Sequence, residues 1–219
     1  MDMQRMRVKI CGLTREDDVR AAVAAGADAI GMVFYEGSKR CVTLQQAQQL
    51  RQSIPAFVSL VALFVNPQAS FVREVIEVVN PDLLQFHGDE SPEACRAFSR
   101  RYMKAFRVGA PGLDSVEAVA QSTALYNDAA GWLFDSYSPG FGGSGLTLDP
   151  ALLAGLDATQ DVAMIIAGGL KPETLQAQVQ QLPFRPYSLD VSSGVEEAPG
   201  IKSHEKIRAF MQAAAKPEQ

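Results

Sequence analysis

Arg7-Val8-Lys9-Ile10-Cys11-Gly12-Leu13-Thr14 is the stretch from which the fold is read. Val8 to Ile10 form a short β-favouring run that ends in a thiol, and Gly12 then lets the backbone turn sharply. Thr14 opens a helical pattern, with Asp17 placed to complete a capping box. Cys11 therefore stands at the C-terminal mouth of a strand. In parallel α/β folds the side chains that do chemistry collect at this edge, because helices and packed interior occupy the other surfaces. Two readings of Cys11 are open here: a reactive thiol at that mouth, or a buried structural one, free cysteine being among the most buried residue types.

Outward from this unit the same pattern repeats to the end of the chain. Apolar runs at Ala29 to Phe34, Ser59 to Val65, Leu83 to Phe86, Met103 to Val108, Trp132 to Phe134, Ala163 to Ala167 and Tyr187 to Val191 read as strands. Helical stripes separate them, with start signals at Thr43, Asn66-Pro67, Ser91-Pro92, Ser115, Asp149-Pro150 and Pro172. Ile207, Phe210, Met211 and Ala214 line one face of a last helix. No Ser/Gly/Pro-rich tract divides the pattern, so one domain is expected. Eight β/α units imply an α/β fold, a single-domain (β/α)8 TIM barrel, with an open doubly wound sheet as the alternative. Residues 1–6 read as a flexible leader, 7–215 as the barrel and 216–219 as a polar tail.

Composition narrows the function. A chain of 219 residues can bury a full core. Cys11, Cys41 and Cys95 are far apart and form no C-x-x-C pair, which suggests neither a disulfide framework nor a metal site. A net charge of -5 without a long basic run argues against nucleic acid as a partner. The absence of a long apolar run argues against a membrane. A cytoplasmic protein, monomer or homodimer, is expected.

Several residues at strand ends carry chemistry. Gly168-Gly169 after the seventh strand and Ser193-Gly194 after the eighth sit where TIM barrels commonly offer backbone N–H groups to a phosphate; ordinary tight turns are the plainer reading. Asp135 ends the sixth strand, across the mouth from Cys11, so an acid and a base would face one small molecule from two sides. It could equally be a strand-end turn residue. Gly142, Gly143, Ser144 and Gly145 in the following loop read as a lid or as plain surface loop. Arg40 offers a guanidinium fork suited to a carboxylate, or is simply solvated. His87 either contacts a ligand or holds its loop. His204 reads as a surface residue.

Taken together these segments resemble the phosphoribosylanthranilate isomerases. The resemblance runs over essentially the whole chain, from Val8-Lys9-Ile10-Cys11-Gly12-Leu13-Thr14 through Gln85-Phe86-His87-Gly88, Phe134-Asp135-Ser136 and Ala167-Gly168-Gly169 to Asp190-Val191-Ser192-Ser193-Gly194-Val195-Glu196. It implies an Amadori rearrangement of N-(5'-phosphoribosyl)anthranilate in tryptophan biosynthesis, with Cys11 as general base and Asp135 as general acid. It also implies Arg40 on the anthranilate carboxylate, His87 and Asp190 in substrate binding, and the two glycine turns on the phosphate. No metal and no organic cofactor is implied. Such a site needs a thiolate and a protonated carboxyl together, so it is expected to lower one pKa and raise the other. Lys39 and Cys41 flank Arg40 where the family usually has proline and an aromatic residue.

A sugar-phosphate epimerase or thiamine-phosphate synthase would share the phosphate loops, but would call for a metal site or a pyrophosphate cluster. A non-catalytic, phosphate-binding regulatory barrel would need neither Cys11 nor Asp135.

Overall fold

In the computed structural model, described over residues 5–137, 147–156 and 162–215, β1 (Arg7–Cys11) pairs in parallel with both β2 (Ala29–Val33) and β8 (Ser188–Val191). That double pairing closes the sheet. Between β2 and β8 run β3 (Ser59–Phe64), β4 (Leu83–Phe86), β5 (Tyr102–Val108), β6 (Gly131–Ser136) and β7 (Ala163–Ile166), each hydrogen-bonded to its neighbours in chain order. Helices α1 (Glu16–Ala24), α2 (Leu44–Arg51), α3 (Ala69–Val79), α4 (Pro92–Arg96), α5 (Val116–Ala124), α6 (Leu175–Gln180) and α7 (His204–Ala214) alternate with the strands. The molecule is the closed barrel expected, not an open sheet. No helix among the described residues is long and apolar enough to cross a membrane.

Strand periodicity sorts the side chains into layers. Ile10, Ile30, Leu60, Phe64, Leu84, Phe86, Phe134 and Leu189 point outward into the main core between strands and helices. Val61, Met103, Ala105, Leu133, Ile165 and Ala167 fill the barrel interior, and Cys11, Val33, Leu63 and Val65 form a smaller apolar group at its mouth. Phe34, Phe64 and Phe86 stack in a ladder with centroids 5.6 and 6.1 Å apart, and Phe106 and Phe134 repeat the motif at 5.9 Å. Each such pair adds about 0.5–1.5 kcal/mol beyond its buried area. Phe86 and Phe134 immediately precede His87 and Asp135, so the buried aromatic fixes the strand end that presents each polar group inward.

Thr43, Ser91 and Ser115 cap their helices, each accepting from the amide three residues on. Other expected boundaries shift. Thr14 caps nothing: α1 starts at Glu16 behind Arg15, and the Thr14 hydroxyl instead donates to the Gly200 carbonyl at 2.8 Å. Asp149-Pro150 opens only a 3-10 turn, Pro150–Leu153, and α6 begins behind Thr174 rather than at Pro172. A two-stranded hairpin, β9 (Glu196–Ala198) and β10 (Ile201–Lys202), occupies the segment before α7. Residues 5 and 6 belong with the barrel: Arg5 is forked on Asp28 at 2.8 Å, and Met6 is buried in the core. The remaining leader, the tail at 216–219 and the lid glycines Gly142, Gly143, Ser144 and Gly145 lie outside the described residues.

Candidate active site

The barrel brings Cys11, Arg40, His87, Asp135, Gly168, Gly169, Asp190, Ser193 and Gly194 to the lining of one cavity at the C-terminal ends of the strands. Cys11 ends β1 on one wall. Its register partner on β2 is Gly31, and a side chain there would place its first carbon 2.8 Å from Cys11 Sγ and 3.0 Å from Lys9 Nζ. Gly31 thus leaves the space in which the thiol and the Lys9 ammonium meet.

Lys9 is buried inside the barrel two residues before Cys11, on the same face of β1. Its Nζ donates to Asp190 Oδ1 at 2.9 Å. Burial disfavours the ammonium, but Asp190 and the nearby thiol outweigh that and push Lys9 up to about 12. Cys11 feels the opposite balance. Burial pushes the thiol up, Lys9 and Lys202 pull it down, Asp190 opposes them, and burial prevails. The expected lowering of the thiol is therefore not found. The cations only limit the rise.

Behind the thiol lies a second charged group. Arg40 Nε and Nη2 each donate to one oxygen of Glu196 at 2.7 Å, a bidentate fork. Lys202, wholly buried, donates to the same carboxylate at 2.9 Å and to the Ser192 carbonyl at 3.0 Å. Burial alone would raise the Glu196 carboxyl, yet Arg40 and Lys202 hold it below the usual carboxylate range. Glu196 thus fixes one edge of the Arg40 guanidinium and leaves three of its five N–H donors for another acceptor. The β9–β10 hairpin that carries Glu196 and Lys202 is tied to the chain opening α1. Lys202 N and His204 Nε2 both meet the buried carboxylate of Asp18, at 3.2 and 2.9 Å. His204, expected at the surface, is only partly exposed and is a partner in that tie.

The opposite wall is built differently. Asp135, next to last in β6, accepts from the Ser136 amide at 2.8 Å through Oδ1. Its Oδ2 lies 3.3 Å from His87 Nε2, within ion-pair range but without hydrogen-bond alignment. The other ring nitrogen of His87 meets the fully buried Gln85 amide, Nε2 to Nδ1, at 3.1 Å. A Gln85 amide that donates there places the ring proton of a neutral imidazole on Nε2, facing Asp135. Arg107, beside Asp135 in the β5–β6 register, is paired with Asp89 at 3.1 Å.

Between the walls, the turns after β7 and β8 offer backbone to the cavity. Gly168 and Gly169 both have left-handed φ, 79° and 67°, and successive amides in such turns form a concave donor surface for anions. At Gly194 a side chain's first carbon would lie 1.8 Å from the Leu170 carbonyl oxygen, which no adjustment of a flexible side chain relieves. The turns after β7 and β8 are therefore pressed together at a glycine.

Lys9, Gln85, Glu196 and Lys202 were not among the sequence candidates. Lys9 and Gln85 each lie two positions before a residue that was, on the same strand face, and that spacing was the available signal.

Known proteins bear on this geometry. The family model described as N-(5'phosphoribosyl)anthranilate (PRA) isomerase matches residues 8–213. The chain is 57% identical over 216 residues to the N-(5'-phosphoribosyl)anthranilate isomerase of Bordetella bronchiseptica, covering 98% of each chain. It is 46% identical to that of Pseudomonas fluorescens over 213 residues, 96% of each. The phosphoribosyl anthranilate isomerase of Thermotoga maritima superposes with a TM-score of 0.84 at 34% identity, over 95% of this chain and 98% of that one. A phosphoribosyl anthranilate isomerase in complex with reduced 1-(o-carboxyphenylamino)-1-deoxyribulose 5-phosphate superposes with a TM-score of 0.80 at 31% identity, over 95% and 98%. On the strength of a match that spans the barrel from β1 to α7, this chain belongs to the N-(5'-phosphoribosyl)anthranilate isomerase family.

Proposed function

We propose that the chain converts N-(5'-phosphoribosyl)anthranilate to 1-(2-carboxyphenylamino)-1-deoxyribulose 5-phosphate, the Amadori rearrangement of tryptophan biosynthesis, with Cys11 as general base and Asp135 as general acid. The observation that carries this reading is the placement of those two groups on opposite walls of one cavity, with paired glycine turns between them.

The chemistry follows from that placement. Asp135, in its protonated form, gives its proton to the furanose ring oxygen. The C1'–O4' bond breaks toward that oxygen, and the anthranilate nitrogen lone pair forms a C1'=N iminium. Cys11 as thiolate takes the C2' proton, and the C–H electrons form the C1'=C2' bond of an enolamine while the iminium electrons return to nitrogen. Tautomerisation then returns the proton held by Cys11 to C1', while the C2' hydroxyl loses its proton, restoring that of the Asp135 carboxyl, and becomes the ketone. The net change is an isomerisation that closes within substrate, thiol and carboxyl, so the scheme calls for no cofactor.

The remaining residues serve binding. Amides of Gly168, Gly169, Ser193 and Gly194 take the phosphate. The Arg40 donors not engaged by Glu196 take the anthranilate carboxylate. Asp190 and His87 contact the ribose portion and the ring-opening end, and Gly142 to Gly145 serve as a lid over the closed site. The protein acts in the cytoplasm as a monomer or homodimer on this phosphorylated small molecule; one solved relative, from Thermotoga maritima, is described as a dimeric enzyme.

The test is direct. Purified protein is mixed with freshly made phosphoribosylanthranilate without added metal, and the deoxyribulose product is followed by chromatography. Product formation supports the assignment; none from well-folded protein contradicts it.

A further inference from the structure

We propose that Lys9 is a positioning residue for the Cys11 base: its ammonium, clamped by Asp190 in the space left by Gly31, is the counter-charge that lets the thiol ionise. The proposal rests on the reading of Cys11 as the base and adds the means by which a buried thiol is made available as that base.

Three observations lead to it. The first is geometric. Cys11 Sγ and Lys9 Nζ converge on the same point beside Gly31, at 2.8 and 3.0 Å from where its side chain would begin, so they lie no farther apart than those two distances combined. The second is orientation. Lys9 Nζ is held at 2.9 Å by Asp190 Oδ1 from β8, the neighbour of β1, so the ammonium cannot swing out of the barrel. The third is a charge balance. The charged groups around the thiol are Lys9 on β1, Asp190 on β8, Lys202 on β10, Arg40 in the loop after β2 and Glu196 on β9. Three cations face two carboxylates, and each of the three cations interacts electrostatically with Cys11. With the thiol protonated this buried group carries one positive charge in excess, and ionisation of Cys11 neutralises it. His87 and Asp135 face the thiol from the far wall.

A buried Lys–Asp pair has an obvious structural use, bridging β1 and β8, and the experiment must separate the two roles. Lys9→Met and Asp190→Asn both break the same bridge but remove charges of opposite sign. The full chain is alkylated with iodoacetamide across a pH series, and modification of the Cys11 peptide is followed by mass. The wild-type midpoint is expected above the ordinary thiol range, because burial prevails. Lys9→Met should raise that midpoint by about one pH unit or more, roughly a tenfold loss of thiolate at a given pH below it. Asp190→Asn should lower it.

Shifts in opposite directions support the counter-charge. Shifts in the same direction, or in neither variant, overturn it. If Lys9→Met fails to fold, Asp190→Asn decides alone: a midpoint that does not fall overturns the proposal. Turnover by Cys11→Ala keeps the two claims apart. An active Cys11→Ala enzyme with opposite thiol shifts removes the base and leaves the counter-charge standing; an inactive one with an unmoved thiol does the reverse.

Discussion

The two walls of the cavity solve opposite problems with different materials. On the proposed mechanism the β1 wall must supply a group in its charged form, and around Cys11 it gathers Lys9, Lys202 and Arg40 with two carboxylates that hold them in place. On the same mechanism the β6 wall must supply a proton, and there Asp135 is met by a backbone amide and an imidazole whose other nitrogen is tied to Gln85. Strand alternation serves both: Lys9 lies two positions deeper than Cys11 on β1, and Gln85 two positions deeper than His87, which in turn faces Asp135. The difference lies in charge: a thiol base that is buried needs fixed cations, whereas an acid needs to be spared them.

Changes on each wall should sharpen or break that contrast. The largest effect is expected for Asp135→Asn, which keeps the shape and removes the transferable proton. Its kcat should fall by about 10²–10⁴-fold, the usual contribution of a placed acid, while binding of the reduced product analogue persists. A kcat near wild type would dissolve the contrast, because the β6 wall would then hold no acid. Glu196→Gln comes next. It replaces a charge-assisted fork by a neutral contact worth about 1–2 kcal/mol less, so Arg40 loosens and KM should rise about tenfold with kcat much less affected. A fall confined to kcat would move Glu196 from binding to chemistry. The smallest effect belongs to Gln85→Met, which takes away the donor at His87 Nδ1. A loss of only several-fold in kcat is expected, with melting temperature little changed, since one buried neutral hydrogen bond is worth about 1 kcal/mol. No change at all would mean that the His87 ring needs no such tie.

The barrel was legible because its signals are local. Eight apolar runs, each closed by a turn, fix where the strands are, and Thr43, Ser91 and Ser115 cap as their sequence context implies. Thr14 misled for the complementary reason. Its hydroxyl is claimed by Gly200, 186 residues away, a contact no local pattern encodes. The same applies to the β9–β10 hairpin, whose Glu196 and Lys202 acquire their meaning only when Arg40 and Asp18 arrive from other units. Cys11 and Asp135 were readable as strand-end groups. The thiol's ionisation was not, because it depends on how deeply the chain buries it and which cations share that burial. Lys9 stood in plain view, a charged residue at an inward position of an apolar strand. Its partner Asp190 lies 181 residues further along, on β8, and no local pattern announced the pairing.

The central claim is that Cys11 removes the C2' proton, and the most direct measurement is kcat for Cys11→Ala on phosphoribosylanthranilate beside wild type, with binding of the reduced product analogue as the check on folding. The account predicts that the variant binds the analogue and forms product at no more than about 10⁻² of the wild-type rate. A variant that binds the analogue and turns over near the wild-type rate would contradict it.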